Sequence, residues 1–211
     1  IVSRILDVGG RTGGLSLVLP HADIDVAAGP FGTGAAGTGD IGIVAEVNLF
    51  GAPALIREAF ADWTPETFAS VHLLTTVPTG GYDPDASVNV GSNRWSLAPT
   101  INYSYTPDAG WTWLEAYATA RIFGDNSDAP GAAEMLEQRP LYQVELHASR
   151  NLTPDLWLSA DAYYDRGGET VLDGAAQDNA ADTWRLGAGL GLRVGTIGTL
   201  FLNYDTTVSA P

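Results

Sequence analysis

Apolar and polar residues alternate with a period of two along most of the chain. From Trp95 the odd positions Trp95, Leu97, Pro99, Ile101, Tyr103 and Tyr105 are apolar with aromatic ends. The even positions Arg94, Ser96, Ala98, Thr100, Asn102 and Ser104 are polar or small. Successive strand side chains point to opposite faces, so this run predicts a strand with one apolar and one polar face. The pattern recurs over 114–122, 142–149, 156–165, 184–193 and 200–205, and stripes at Leu15, Leu17, Leu19 and at Ile43, Ala45, Val47, Leu49 resemble it. Residues 68–77 alternate less cleanly, and 1–7 open the chain as a further strand. About ten strands result, with one short helical turn predicted over 53–60.

Connections carry a second signal. Those at 106–110, 151–155 and 195–198 are tight and hold Pro-Asp, Thr-Pro-Asp and Gly-x-x-Gly turn chemistry. Those at 78–92, 124–140 and 166–182 are long and rich in Gly, Asp and Asn, and the 29–40 loop joins them at the same end. Only 51–66 breaks the rule, as a helix on the short-turn side would explain. Short turns at one end and long loops at the other mark an outer-membrane barrel. A soluble barrel would alternate as well, with its apolar positions inward. Here Trp and Tyr cluster near strand ends with Leu, Ala and Val between them, as in a lipid-facing band with interfacial girdles. The expected fold is therefore all-β, an antiparallel up-and-down transmembrane β-barrel in the bacterial outer membrane, in contact with its lipids. It is expected as a single domain over 1–211 lacking terminal strands, about 12 in the complete protein. The missing leader before Ile1 and the turn-like close at 208–211 suggest a segment of a longer chain.

Composition narrows the function. Ten arginines, with no lysine, face 25 acidic residues for a net charge of −15, which repels phosphate backbones and argues against nucleic acid as a partner. The absence of cysteine removes thiolate metal sites and thiol catalysis. Hydrophobic residues at 45% and charged ones at 17% argue against disorder, and no apolar run approaches the roughly 18 residues of a membrane helix. Mean hydropathy of +0.03 does not discriminate, because a barrel averages apolar outward and polar inward positions.

Candidate chemistry lies on the polar face. Arg94, Arg121, Arg185 and Arg193 share it with Glu115, Glu145, Asp161 and Asp165, joined by His147 as candidate channel-lining groups. They read either as a charged constriction that selects solutes or as an ion-pair network that stiffens the wall. Glu145-x-His147-x-Ser149 places an acid, an imidazole and a hydroxyl on one strand face, a spacing that resembles lipid A deacylases. Alternation turns this trio away from lipid, which favours a hydrogen-bonding histidine over a lipid-modifying hydrolase. Gly32-Thr33-Gly34-Ala35-Ala36-Gly37 matches a dinucleotide pattern but precedes a strand rather than a helix, and reads as a flexible loop. Asp83, Asp85, Asp125, Asp128, Asp173 and Asp178 form an acidic rim without calcium-loop spacing, and His21, His72 and His147 lack zinc spacing. No cofactor and no metal is expected.

Several segments carry a family likeness. Pro78-Thr79-Gly80-Gly81-Tyr82-Asp83-Pro84 is followed by Asn89-Val90-Gly91-Ser92-Asn93-Arg94-Trp95 and then by Pro99. Trp113-Leu114-Glu115, Asp125-Asn126, Gln138-Arg139-Pro140-Leu141-Tyr142, His147 and Gly167-Gly168-Glu169-Thr170 continue it. From about Leu15 onward the chain resembles the proteobacterial outer-membrane family associated with the meta-pathway of phenol degradation. Arg139 departs from the acidic residue expected before that proline. The resemblance implies an outer-membrane barrel acting as a channel for passive uptake of small hydrophobic or aromatic compounds, with no enzymatic step. A closed structural barrel remains the alternative alongside the hydrolase.

Overall fold

The structure is a computed structural model that describes residues 1–28 and 31–209. In chain order the strands are β1 (Val2–Val8), β2 (Arg11–Val18), β3 (His21–Ala28), β4 (Phe31–Thr38) and β5 (Ile41–Phe50). A short helix α1 (Arg57–Ala61) precedes β6 (Phe68–Val77), β7 (Ser96–Tyr105) and β8 (Thr112–Phe123). Then follow β9 (Leu136–Gln138), β10 (Leu141–Thr153), β11 (Leu156–Gly167), β12 (Thr170–Leu172), β13 (Ala175–Ala176), β14 (Ala181–Val194) and β15 (Gly198–Ser209). Ten of these form one antiparallel meander ordered β1-β2-β5-β6-β7-β8-β10-β11-β14-β15. Among the described residues β1 and β15 are its two edges and the sheet is not closed. The other five strands lie in the long connections, as a β3–β4 hairpin and a three-stranded β13-β12-β9 sheet.

Burial decides which way the faces point. Along β7, Ile101 is 53% exposed whereas Asn102 is 1% and Ser104 0% exposed. Leu97, Leu114, Ile122, Leu146, Leu158 and Leu186 are likewise exposed. A water-soluble sheet would show the reverse, so the apolar face is the one solvated by lipid. The edge strand β1 departs from the rule, because its register sets Arg4 opposite Leu15 and so on the apolar face.

The inward face is not uniformly polar. Ser16 pairs with Val44, Val44 with Leu74 and Leu74 with Ala98 on the same side as Asn102. Val18, Val44, Leu74 and Ala98 therefore make an apolar lane inside the wall toward the long-loop end. This explains the weak alternation of β6, where Leu73 faces outward and Leu74 inward.

Two expectations are corrected. Gly32–Gly37 is not a flexible loop but lies within β4, paired with β3 from His21↔Thr38 to Ala28↔Phe31. The β-branched Ile24 and Val26 of β3 stand opposite Ala35 and Thr33, which favours a ladder over a loop. On the short-turn side the helix is only five residues long, at 57–61. The segment before it pairs back onto the sheet, with Thr12 N donating to Ala52 O and Ala54 N to Gly10 O, each at 3.1 Å. Gly51 permits this exit at φ +78°, where any Cβ would run into the Thr67 carbonyl.

Candidate functional site

Same-parity residues of adjacent strands meet on the inward face and form a hydrogen-bonded ladder across β5 to β8. His72 Nδ1 lies 3.2 Å from Glu46 Oε2, and His72 Nε2 lies 2.7 Å from Ser70 Oγ. Ser70 donates to Asn102 Oδ1 at 3.2 Å, and Asn102 Nδ2 donates to Ser104 Oγ at 3.2 Å. The Ser104 and Tyr117 hydroxyls donate to Glu115 Oε1 at 2.8 and 3.3 Å. Its buried members Ser70, Asn102 and Ser104 all find partners, as polar groups inside a membrane protein must.

Across β8 to β15 the register stacks the residues in tiers. Tyr117, Glu145, Tyr163 and Arg185 stand opposite one another in turn, and Glu115, His147, Asp161, Gly187 and Asp205 form the next tier toward the short-turn end. His147 Nδ1 donates to Asp161 Oδ1 at 2.7 Å, and its Nε2 lies 3.4 Å from Glu145. Its ring meets Tyr117 and Tyr163 edge-on at 5.6 and 5.5 Å. Arg185 lies 4.7 Å over the Tyr163 ring and reaches Asp205 at 3.2 Å and Asp165 at 3.9 Å. Of the expected lining residues, Glu115, Glu145, His147, Asp161, Asp165 and Arg185 thus come together in one belt.

The remaining three lie apart from it. Arg121 faces inward a tier above Gln143 and Thr119, toward the long loops. Arg193 stands at the short-turn end, 3.9 Å from Asp155, with both groups largely exposed. Arg94 sits just before β7, 4.9 Å over the Phe123 ring, and donates to Gln138 Oε1. Burial lowers its pKa, while the negative charge of nearby Asp125 acts to raise it. Arg94 therefore helps to brace the long-loop end.

That end is stapled by the residues that carry the family likeness. Asn126, buried, accepts from Asn93 Nδ2 at 2.8 Å and donates to the Tyr82 hydroxyl at 2.9 Å, which itself donates to the Asp128 carbonyl at 2.6 Å. Asp40 accepts from Gly80 N and Ser92 N, each at 2.8 Å, closing both ends of the 78–95 loop. A Cβ on Gly91 would come within 2.7 Å of the Gly80 carbonyl carbon, so both positions need glycine. Part of the expected acidic rim is likewise structural. Asp173 accepts from the Glu134 and Met135 amides, and Asp83 from the Asp85 amide. Among the described residues no cluster has the makeup of a metal site.

The Glu145–His147–Ser149 trio does not assemble as a nucleophile and base, since both ring nitrogens of His147 face carboxylates. Sequence reasoning missed Glu46, His72, Asn102, Tyr117 and Tyr163 as site residues. Shared parity on neighbouring strands was the available signal, but it needs the register that only pairing supplies.

From the lower tier of the belt toward the short-turn end the inner wall is hollowed. Gly187, Gly189 and Gly191 of β14 face inward, and the Trp157 indole lies directly on Gly191 where a Cβ would overlap the ring. The recess holds about 620 Å³ and is lined among others by Trp113, Glu115, His147, Trp157, Asp161 and Asp205.

With this geometry in view, the relatives fall into place. The family model described as "Putative MetA-pathway of phenol degradation" matches residues 2–211. The chain belongs to this family. No curated protein matches it. Among solved structures, the crystal structure of an outer membrane channel from Pseudomonas putida F1 is similar, with a TM-score of 0.80 and 20% identity over 99% of this chain and 74% of that one. The family and the barrel fold, with lipid-facing leucines and inward ionisable groups, make the chain an outer-membrane β-barrel protein.

Proposed function

We propose that the protein is an outer-membrane channel for passive uptake of small hydrophobic or aromatic organic compounds. The observation that carries this reading is the division of the inward face. One side is the apolar lane of Val18, Val44, Leu74 and Ala98, and the other is the polar belt from Glu115 to Asp205. A ring with a polar substituent finds a dry surface and hydrogen-bonding partners in the same passage. The family's connection to phenol degradation and the neighbouring channel structure support the reading. No covalent step is involved, in keeping with a His147 oriented by Asp161 rather than turned toward Ser149.

Liposome swelling and planar-bilayer conductance with the purified protein test the proposal. Swelling in small aromatic alcohols that exceeds protein-free liposomes is the expected result. Complete absence of solute flux and of conductance would leave a closed structural barrel in its place.

A further inference from the structure

The recess beside β14 has a lining whose charge is one-sided. Among the described residues it contains the carboxylates of Glu115, Asp161 and Asp205, the imidazole of His147 and the rings of Trp113, Trp157 and Tyr163, and neither lysine nor arginine. Asp161 is met by His147 and Asp205 by Arg185. Among the described residues Glu115 receives only the neutral hydroxyls of Ser104 and Tyr117. Adding the adjacent Glu145 and Asp165 gives five carboxylates in this sector, against Arg185 and His147 as the nearby basic groups. A negative surplus within an inward wall attracts cations, and carboxylates beside aromatic faces are the chemistry that holds organic ammonium groups. Gly187 lines the cavity directly, while Gly189 and Gly191 leave the room in which Ser159, Asn203 and the Trp157 indole take their places at its edge.

From this we infer that the recess is a binding site for aromatic ammonium ions and makes the passage cation-preferring. The ammonium group sits in the combined field of Glu115, Asp161 and Asp205, and the ring lies among Trp113, Trp157 and Tyr163. The inference deepens the channel reading and rests on it for the passage, whereas the site itself stands on the geometry of the recess.

The test uses benzyltrimethylammonium, a permanent cation whose charge does not change with pH, beside benzyl alcohol and benzenesulfonate. Calorimetric titration of the detergent-solubilised protein reads binding without requiring conduction, and the reversal potential in a KCl gradient reads selectivity. The expected results are preferential binding of the cation, a cation-selective reversal potential, and binding about tenfold weaker in Glu115→Gln. Asp205→Asn, on the more exposed edge strand, provides a second variant if Glu115→Gln fails to fold, and the same direction is expected. Cation binding no stronger than that of benzyl alcohol, or binding unchanged in a folded variant, overturns the site. Conductance without cation preference overturns the selectivity while the channel stands. Binding of the cation by a protein that conducts nothing would sink the channel reading alone.

Discussion

The carboxamide of Asn102 accepts from Ser70 and donates to Ser104 and to the Ala116 carbonyl, so one side chain ties three strands together inside the wall. Replacing it with leucine removes both functions and leaves the neighbouring hydroxyls short of a partner where water has little access. Asn102→Leu is expected to lower stability by roughly 1–3 kcal/mol, read from urea unfolding in lipid vesicles. At the short-turn end, Asp108 offers a pH-dependent counterpart. Desolvation acts to raise its pKa, but the hydroxyl and amide of Thr112, with Arg150 nearby, outweigh it and hold the carboxyl below its ordinary value. Its stabilising contribution is therefore fully present above the unfolded value, roughly 3.9, and is lost as pH falls through the lower folded one. Wild type should be more stable than Asp108→Asn at neutral pH, and the difference should vanish in strong acid. A difference that grows on acidification would contradict the assigned direction.

At the scale of the strand, what matters is the face. Ile101 and Thr100 are neighbours in the middle of β7, one toward lipid and one toward Thr119 on the inner wall. Ile101→Arg should cost about 2–4 kcal/mol, the range for an arginine at the bilayer midplane, and Thr100→Arg clearly less because it enters a polar interior. Parallel unfolding titrations of the two variants check the order, and a reversed order would mean that the faces are assigned the wrong way round. Strand identity and facing were legible in the sequence because a period of two survives without knowledge of partners, as Trp95 to Tyr105 shows. The β3–β4 hairpin was not, since Gly32, Gly34 and Gly37 imitate a loop and only the ladder with β3 gives them extended partners, in Ala27, Asp25 and Ala22. The inner wall was half legible. Charged members such as Arg185 and Asp161 stand out by residue type, but Asn102, Tyr117 and the glycines of β14 acquire their roles only through register.

For the molecule as a whole, the long connections are not independent flaps. Asp40 holds both ends of the 78–95 loop, Asn126 joins that loop to the β8–β10 connection, and Asp173 ties the latter to the β11–β14 connection. The β13-β12-β9 sheet adds a backbone link between the last two. Three loops that share their hydrogen bonds move together or not at all, so releasing one joint should loosen the entire long-loop end. Asn126 is the joint to remove, because it is buried and its partners Asn93, Tyr82 and Asp128 come from two different loops. Asn126→Ala should leave the membrane-spanning strands intact, since it lies outside every strand of the main sheet. Faster protease cleavage within 78–95 and 124–140 and noisier bilayer currents are the expected consequences, with unfolding of the barrel shifted far less than by Asn102→Leu. Cleavage confined to 124–140, with quiet currents, would show that the loops act separately and that the shared bonds do not couple them.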